Sequence, residues 1–313
     1  MSSKNNECRS NEFKRNLELE KYLKEINLNL EGCENKLLKE KICEYPVVFI
    51  MGSLRSGTTL MTQWLADTNE FAYPTNLLSR FYGAPIMGAK IQRLLTDPKY
   101  NFRNEILDFQ SGISFESNNG KTKGALEPNE FWYLWRRFLP DDVYMYTDEE
   151  LLNMVDIDLM RKEFWGIAQV FDKPLILKGM ICNYNIGFLN KVFPKSIFIW
   201  TKRNLESNTR SVIEARKRQY GTENEWYSFK IPEYSRIITI ENVKEQVQEQ
   251  IRCINSAIER GLSEISEEKK IVVQYENFCK QPQLVYNEIY RKLKEQGYSI
   301  DKHYKGIEYF SAR

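Results

Sequence analysis

The sequence has 313 residues, with 45 Lys and Arg against 43 Asp and Glu, 42% hydrophobic residues and a formal net charge of +2. At roughly 100–200 residues per domain, this length holds one large α/β domain or two small ones around a real core. The balanced charge removes any composition-level case for a nucleic-acid partner or a polybasic membrane surface, and no apolar run approaches the roughly 18–20 residues of a transmembrane helix.

Residues 1–44 are charged and mostly helix-compatible. Phe13, Leu17, Leu19, Tyr22, Leu23 and Ile26 give an irregular apolar stripe, expected to pack this N-terminal helical extension on the main body. Tyr45-Pro46 then leads into Val47-Val48-Phe49-Ile50-Met51, long enough for one buried strand. Gly52-Ser53-Leu54-Arg55-Ser56-Gly57-Thr58-Thr59 follows, and Leu60, Met61, Trp64 and Leu65 recur at helical spacing. The local reading is strand, glycine loop, helix.

The stretch 70–170 holds Gly, Asn and Pro clusters and a dense aromatic run: Phe131, Trp132, Tyr133, Trp135, Phe138, Tyr144 and Tyr146. A helical, aromatic-rich insertion of this kind suits a substrate wall or lid, although any single ring serves equally well as core. A second unit begins at Pro174, with a strand over 175–177 ending at Lys178, a helix over 186–192 and a break at Pro194. A strand over 196–201, a basic helix over 205–220, a helix over 241–260, a strand over 271–275 and a helix over 283–296 complete the chain. The alternation predicts an α/β fold in which residues 45–313 form a single domain, a central parallel sheet flanked by helices on both faces.

The one histidine, His303, excludes two-histidine zinc sites and would have to serve any Ser-His-Asp triad alone. Six cysteines without a C-x-x-C pair read as reduced thiols. Residues 1–7 are polar and lack a signal-peptide core, so the expectation is a soluble, cytoplasmic protein.

The loop after the first strand carries the chemistry. A glycine loop that opens a helix presents backbone N–H groups and the positive end of the helix dipole to an anion. Gly52 and Gly57 have Walker A spacing, but Thr58-Thr59 stand where a nucleoside triphosphatase has its lysine. Arg55 brings the cation into the loop itself, where a guanidinium can grip one anionic group bidentately.

Val47 to Thr59 resembles the 5′-phosphosulfate loop of sulfotransferases that use 3′-phosphoadenosine 5′-phosphosulfate (PAPS), which reads Lys/Arg-Ser/Ala-Gly-Thr-Thr. The resemblance implies a P-loop-like nucleotide-binding core in which Arg55, Ser56, Gly57, Thr58 and Thr59 hold the 5′-phosphate. Ile197-Phe198-Ile199-Trp200-Thr201-Lys202-Arg203-Asn204, with Ser211 on the helix beyond, is similar to the family's 3′-phosphate site, and implies that Arg203 and Ser211 clasp that phosphate. Lys178 is similar in placement to the lysine that contacts the transferring sulfuryl group. Tyr275-Glu276-Asn277 is similar to a Tyr-Glu-Asp segment whose tyrosine lies by the adenine. The resemblance covers residues 45–66, 174–218 and 270–296.

Transfer to a hydroxyl needs a proton acceptor. Aryl and steroid members use a histidine after the first loop, which is missing here, and the region where tyrosylprotein-type members carry a glutamate offers no carboxylate. Three candidates remain in the insertion: Glu127 first, expected to face a half-apolar pocket, then Glu130, then Glu116. Arg80, Arg136 and Arg137 suit an anionic acceptor or, more simply, surface ion pairs. The reading is a transferase that moves a sulfuryl group from PAPS to a small-molecule, glycan or lipid acceptor and releases 3′,5′-ADP, without a metal. A non-catalytic 3′,5′-ADP/PAPS-binding protein and a P-loop kinase are the alternatives, and oligomeric state is not readable.

Overall fold

The computed structural model describes residues 8–109 and 112–311. Residues 1–7, which carry the expectation about a signal segment, lie outside them. In chain order the elements are α1 (Leu17–Leu37), β1 (Val47–Gly52), α2 (Thr58–Asp67), α3 (Pro85–Thr96), α4 (Trp132–Phe138), α5 (Asp148–Met154), α6 (Ile157–Phe171) and β2 (Leu175–Lys178). They continue with α7 (Ile186–Val192), β3 (Ser196–Lys202), α8 (Leu205–Tyr220), α9 (Tyr234–Ile237), α10 (Val243–Ser263), β4 (Lys270–Gln274), α11 (Tyr275–Lys280) and α12 (Pro282–Glu295).

The four strands are parallel in the order β2-β1-β3-β4. Side chains alternate across a strand, and here both sides are apolar, as a parallel sheet covered on two faces requires. Val47, Phe49, Met51, Leu175, Leu177, Phe198 and Trp200 join one buried cluster with residues of α6, α7, α8 and α10. Val48, Ile50, Ile176, Ile197, Ile199, Ile271 and Val273 join a second with α2, α11 and α12. The alternation of strands and helices follows the expected order. One boundary changes a reading: the last strand ends at Gln274, so Tyr275 is the first residue of a helix and not part of the strand.

The apolar stripe expected of the N-terminal extension is also corrected. Phe13 and Leu23 are buried, but Leu17 and Tyr22 are 66% and 62% exposed. Polar groups complete the packed face of α1 instead: Leu23, Asn27 and Glu34 are its buried residues. Their reason lies in α3, whose first residue is Pro85 and whose preceding residue, Ala84, has no side-chain acceptor. Glu34 supplies the cap from another helix, its two carboxylate oxygens accepting the N–H groups of Ile86 and Met87 at 2.8 and 2.9 Å. Asn27 Oδ1 accepts from the Gly83 N–H at 2.6 Å. No helix among the described residues is long and apolar enough to cross a membrane.

Glu34→Ala would leave two N–H donors at the start of α3 without an acceptor and is expected to lower stability by about 1–3 kcal/mol, read by urea denaturation. Burial raises the Glu34 pKa, against the opposing effect of its two N–H donors. The folded chain therefore holds that proton more tightly than the unfolded one, and this group's contribution to stability falls as pH rises through the interval between its unfolded and folded values. Glu34→Gln should flatten the slope there; an unchanged slope would reject the assignment.

Candidate functional site

Parallel pairing brings the C-terminal ends of the strands to one edge, where open α/β sheets place their ligands. The registers Ile50↔Lys178, Gly52↔Thr201 and Lys202↔Gln274 set the loop after β1 beside the ends of its neighbours. A Cβ on Gly52 would collide with Ser56 Oγ and lie 2.6 Å from Thr201 Oγ1, so only glycine lets the loop fold back here. The buried Ser56 hydroxyl pairs with Thr201 Oγ1 at 3.1 Å and locks the loop to β3.

The loop then passes through Arg55 at φ 59° and Gly57 at φ 101°, left-handed conformations that glycine adopts without strain. A Cβ on Gly57 would also run into the Tyr275 ring. Gly57 caps α2 without a side-chain acceptor, and the Met61 N–H is bonded back to the Gly57 carbonyl at 3.0 Å. The N–H groups of Thr58, Thr59 and Leu60 have no intrahelical acceptor and, with the helix dipole, make the loop concavity electropositive.

Cations gather at this edge. Arg55 Nε donates to Ser211 Oγ at 3.3 Å, and Arg55 makes no ion pair among the described residues. Desolvation lowers its pKa, and the nearby Arg218 and Arg203 push the same way. Arg203 Nη1 donates to the Arg55 carbonyl at 3.0 Å, with its guanidinium 4.8 Å above the Tyr275 ring. Lys178, 7% exposed, donates from Nζ to Thr59 Oγ1 at 3.0 Å and to Glu130 Oε1 at 2.5 Å. The other oxygen of Glu130 accepts from the indole N–H of Trp132. The Thr58 hydroxyl donates to Met180 Sδ at 3.4 Å.

These groups line a cavity of about 1250 Å³, larger than the roughly 300–1,000 Å³ of a pocket for one small ligand. From the loop, one wall runs through Arg203 and Tyr275 to Phe310 near the C-terminus. The other runs through Lys178, Glu130 and Trp132 to Arg136. Burial holds the phenol of Tyr227, also on the wall, up to about 12, so it stays a neutral donor to the Asn119 carbonyl at 3.3 Å.

Of the residues singled out from the sequence, Arg55, Gly57, Thr58, Thr59, Lys178, Glu130, Arg203 and Tyr275 line the cavity. Ser56 and Ser211 stand behind it, bonded to Thr201 and Arg55. Glu127 does not face the cavity as expected. It is 4% exposed, and its carboxylate accepts the Ser114 N–H at 2.5 Å and Gln63 Nε2 at 3.0 Å, so it is spent on bracing the chain above α2. Glu116 is exposed and off the wall, as is His303.

Arg137 forms the ion pair expected of it, but with a buried partner: from an exposed position it grips the carboxylate of Glu163 at 2.7 and 2.9 Å. The aromatic run divides, with Trp132 and Tyr133 on the cavity and Phe131, Trp135 and Tyr144 in the core. Sequence reasoning missed Arg15, Glu20, Phe115 and Phe310 on the wall. No local pattern marks them, because contacts with residues far along the chain bring them there.

Residues 46–298 match a family model described as "Sulfotransferase family". Among solved structures, the fold is similar to that of sulfotransferase STF9 from Mycobacterium avium, at 18% identity, covering 86% of this chain and 68% of that one, with a TM-score of 0.54. It is likewise similar to sulfotransferase STF1 from Mycobacterium tuberculosis, at 13% identity, covering 86% and 72%, with a TM-score of 0.54. No curated protein sequence matches the chain.

Two glycines with positive φ provide a matched test. A methyl group added at Gly221, at φ 73°, would have nothing within 4 Å, whereas one at Gly57 would meet the Tyr275 ring. Gly221→Ala is expected to lose about 1–2 kcal/mol from backbone strain alone, and Gly57→Ala more than that, in parallel thermal melts. Equal losses would mean that the Tyr275 contact does not constrain the loop.

Proposed function

This chain belongs to the sulfotransferase family, and on that premise we propose that it moves a sulfuryl group from PAPS to an acceptor hydroxyl or amine, releasing 3′,5′-ADP. The observation that carries the reading is the ammonium of Lys178, which bridges Thr59 on the anion loop and Glu130 on the insertion at 3.0 and 2.5 Å. One cation thereby touches both the nucleotide side and the acceptor side of the cavity.

PAPS supplies the activated sulfuryl group on its 5′-phosphate. The residues present fit it: Arg55 is a desolvated cation paired with a hydroxyl and, among the described residues, with no carboxylate, an arrangement that an anion completes. Arg55, Thr58, Thr59 and the first N–H groups of α2 would hold the 5′-phosphate. Arg203, backed by Ser211 through Arg55, would take the 3′-phosphate, and the Tyr275 ring would meet the adenine.

Glu130 takes the acceptor proton as the acceptor oxygen bonds to sulfur and the bond from sulfur to the 5′-phosphate oxygen breaks. The charge gathering on that phosphate oxygen is met by Lys178, Arg55 and the dipole of α2. Trp132 and Lys178 fix both oxygens of Glu130, so its orientation is set before substrates arrive. Glu130 is the base in this reading, and not Glu127, because Glu130 stands on the cavity. The acceptor is a small molecule, glycan or lipid headgroup. All six cysteines are unpaired, which supports a reducing, cytoplasmic setting.

With labelled PAPS and a broad acceptor panel, Glu130→Gln is expected to lower kcat by about 10²–10⁴-fold while keeping affinity for 3′,5′-ADP. Glu127→Gln should keep turnover if it folds, and Arg55→Ala should lose PAPS consumption. Full turnover in Glu130→Gln would remove this base.

A further inference from the structure

We propose that the segment ahead of the family-matched region builds the acceptor end of the cavity, with Arg15 and Glu20 determining specificity for a polyhydroxylated acceptor of the saccharide type. This rests on the sulfuryl-transfer reading above. The family match begins at residue 46, yet Arg15 and Glu20 both stand on the cavity wall. Asn16 caps α1 by accepting the Leu19 N–H at 3.0 Å, which fixes Glu20 in the first turn with Arg15 just ahead of it.

The two side chains form a bidentate pair, Arg15 Nε to Glu20 Oε1 at 2.7 Å and Arg15 Nη2 to Glu20 Oε2. The Tyr133 hydroxyl donates to Glu20 Oε1 at 3.5 Å, and its ring stacks on Tyr82 with centroids 5.2 Å apart while remaining 41% exposed. Next along the wall is Trp132, whose indole holds Glu130. The Arg136 guanidinium lies 6.0 Å over the Trp132 ring and pairs with Asp141 at 3.1 Å.

From Glu130 outward, therefore, ring faces alternate with carboxylate–guanidinium pairs. Neighbouring hydroxyls on one ring can donate to a fixed carboxylate and accept from a fixed guanidinium at the same time. Flat aromatic surfaces cover the C–H face of such a ring, as apolar walls with a few placed polar groups do in small-molecule pockets. A hydrocarbon chain laid along this wall would desolvate both ion pairs without replacing their hydrogen bonds to water. A simple phenol would satisfy neither pair.

The test uses the full chain and PAPS with three acceptor classes: an oligosaccharide panel, a long-chain alcohol in detergent micelles, and a small phenol. The oligosaccharides are expected to give the highest kcat/KM. Glu20→Gln and Arg15→Ala, at partly exposed positions, should each raise the saccharide KM roughly tenfold or more, with kcat, 3′,5′-ADP affinity and phenol turnover unchanged. A saccharide KM unaltered in both variants, or a preference for the phenol or the long-chain alcohol, would overturn the proposal. Intact 3′,5′-ADP binding and transfer with silent variants would remove only this subsite, whereas no 3′,5′-ADP binding and no transfer would remove the sulfuryl-transfer reading together with it.

Discussion

A desolvated guanidinium, Arg55, held at the end of a buried parallel strand without a carboxylate partner among the described residues, is the constraint on which the site depends. Stripping a charge of water is costly unless something of opposite sign answers it, and among the described residues Arg55 Nε donates to a serine hydroxyl. The surrounding architecture keeps the charge in place. Ser56 ties the loop to β3, Arg203 donates to the Arg55 carbonyl, and Tyr275 fills the space that a side chain at residue 57 would need. Each of these partners sits at or just beyond the C-terminal end of a strand, so the parallel register of the sheet is what assembles them.

Lys178 and Glu130 extend the same logic from the loop to the insertion. The Lys178 side chain is buried, and that of Glu130 is 28% exposed. The ammonium is shared between the loop and the insertion, and the carboxylate is held by ammonium and indole together. The cavity around them, at about 1250 Å³, exceeds the usual range of a pocket for one small ligand, with the Arg203 guanidinium over the Tyr275 ring at one place on it and Arg136, paired with Asp141, by Trp132 at another. In the proposed transfer, that space would hold two different molecules with their reacting atoms adjacent.

Local pattern made the sheet legible in the sequence. Five consecutive apolar residues before a glycine loop, and apolar runs at 175–177 and 196–201, have no comfortable place except a strand covered on both faces. The cations that follow them within four residues, Arg55, Lys178 and Arg203, could be placed at the sheet edge for the same reason. What stayed hidden was set by long-range packing. Glu127 and Glu130 are three residues apart and equivalent by composition, yet Ser114 and Gln63 claim one while Lys178 claims the other. The stripe on α1 misled because its buried positions include Asn27 and Glu34, whose partners are backbone N–H groups near and within α3. Arg15 and Glu20 carry no motif at all.

The most direct measurement of the central claim is calorimetric titration of the intact chain with 3′,5′-ADP, with 5′-AMP and ATP–Mg²⁺ as comparisons. The account predicts that 3′,5′-ADP binds most tightly, because the proposal gives the 3′-phosphate to Arg203 on the cavity wall and the loop lacks the Walker lysine that reaches β and γ phosphates. Tight binding of ATP–Mg²⁺ with no heat from 3′,5′-ADP would contradict it.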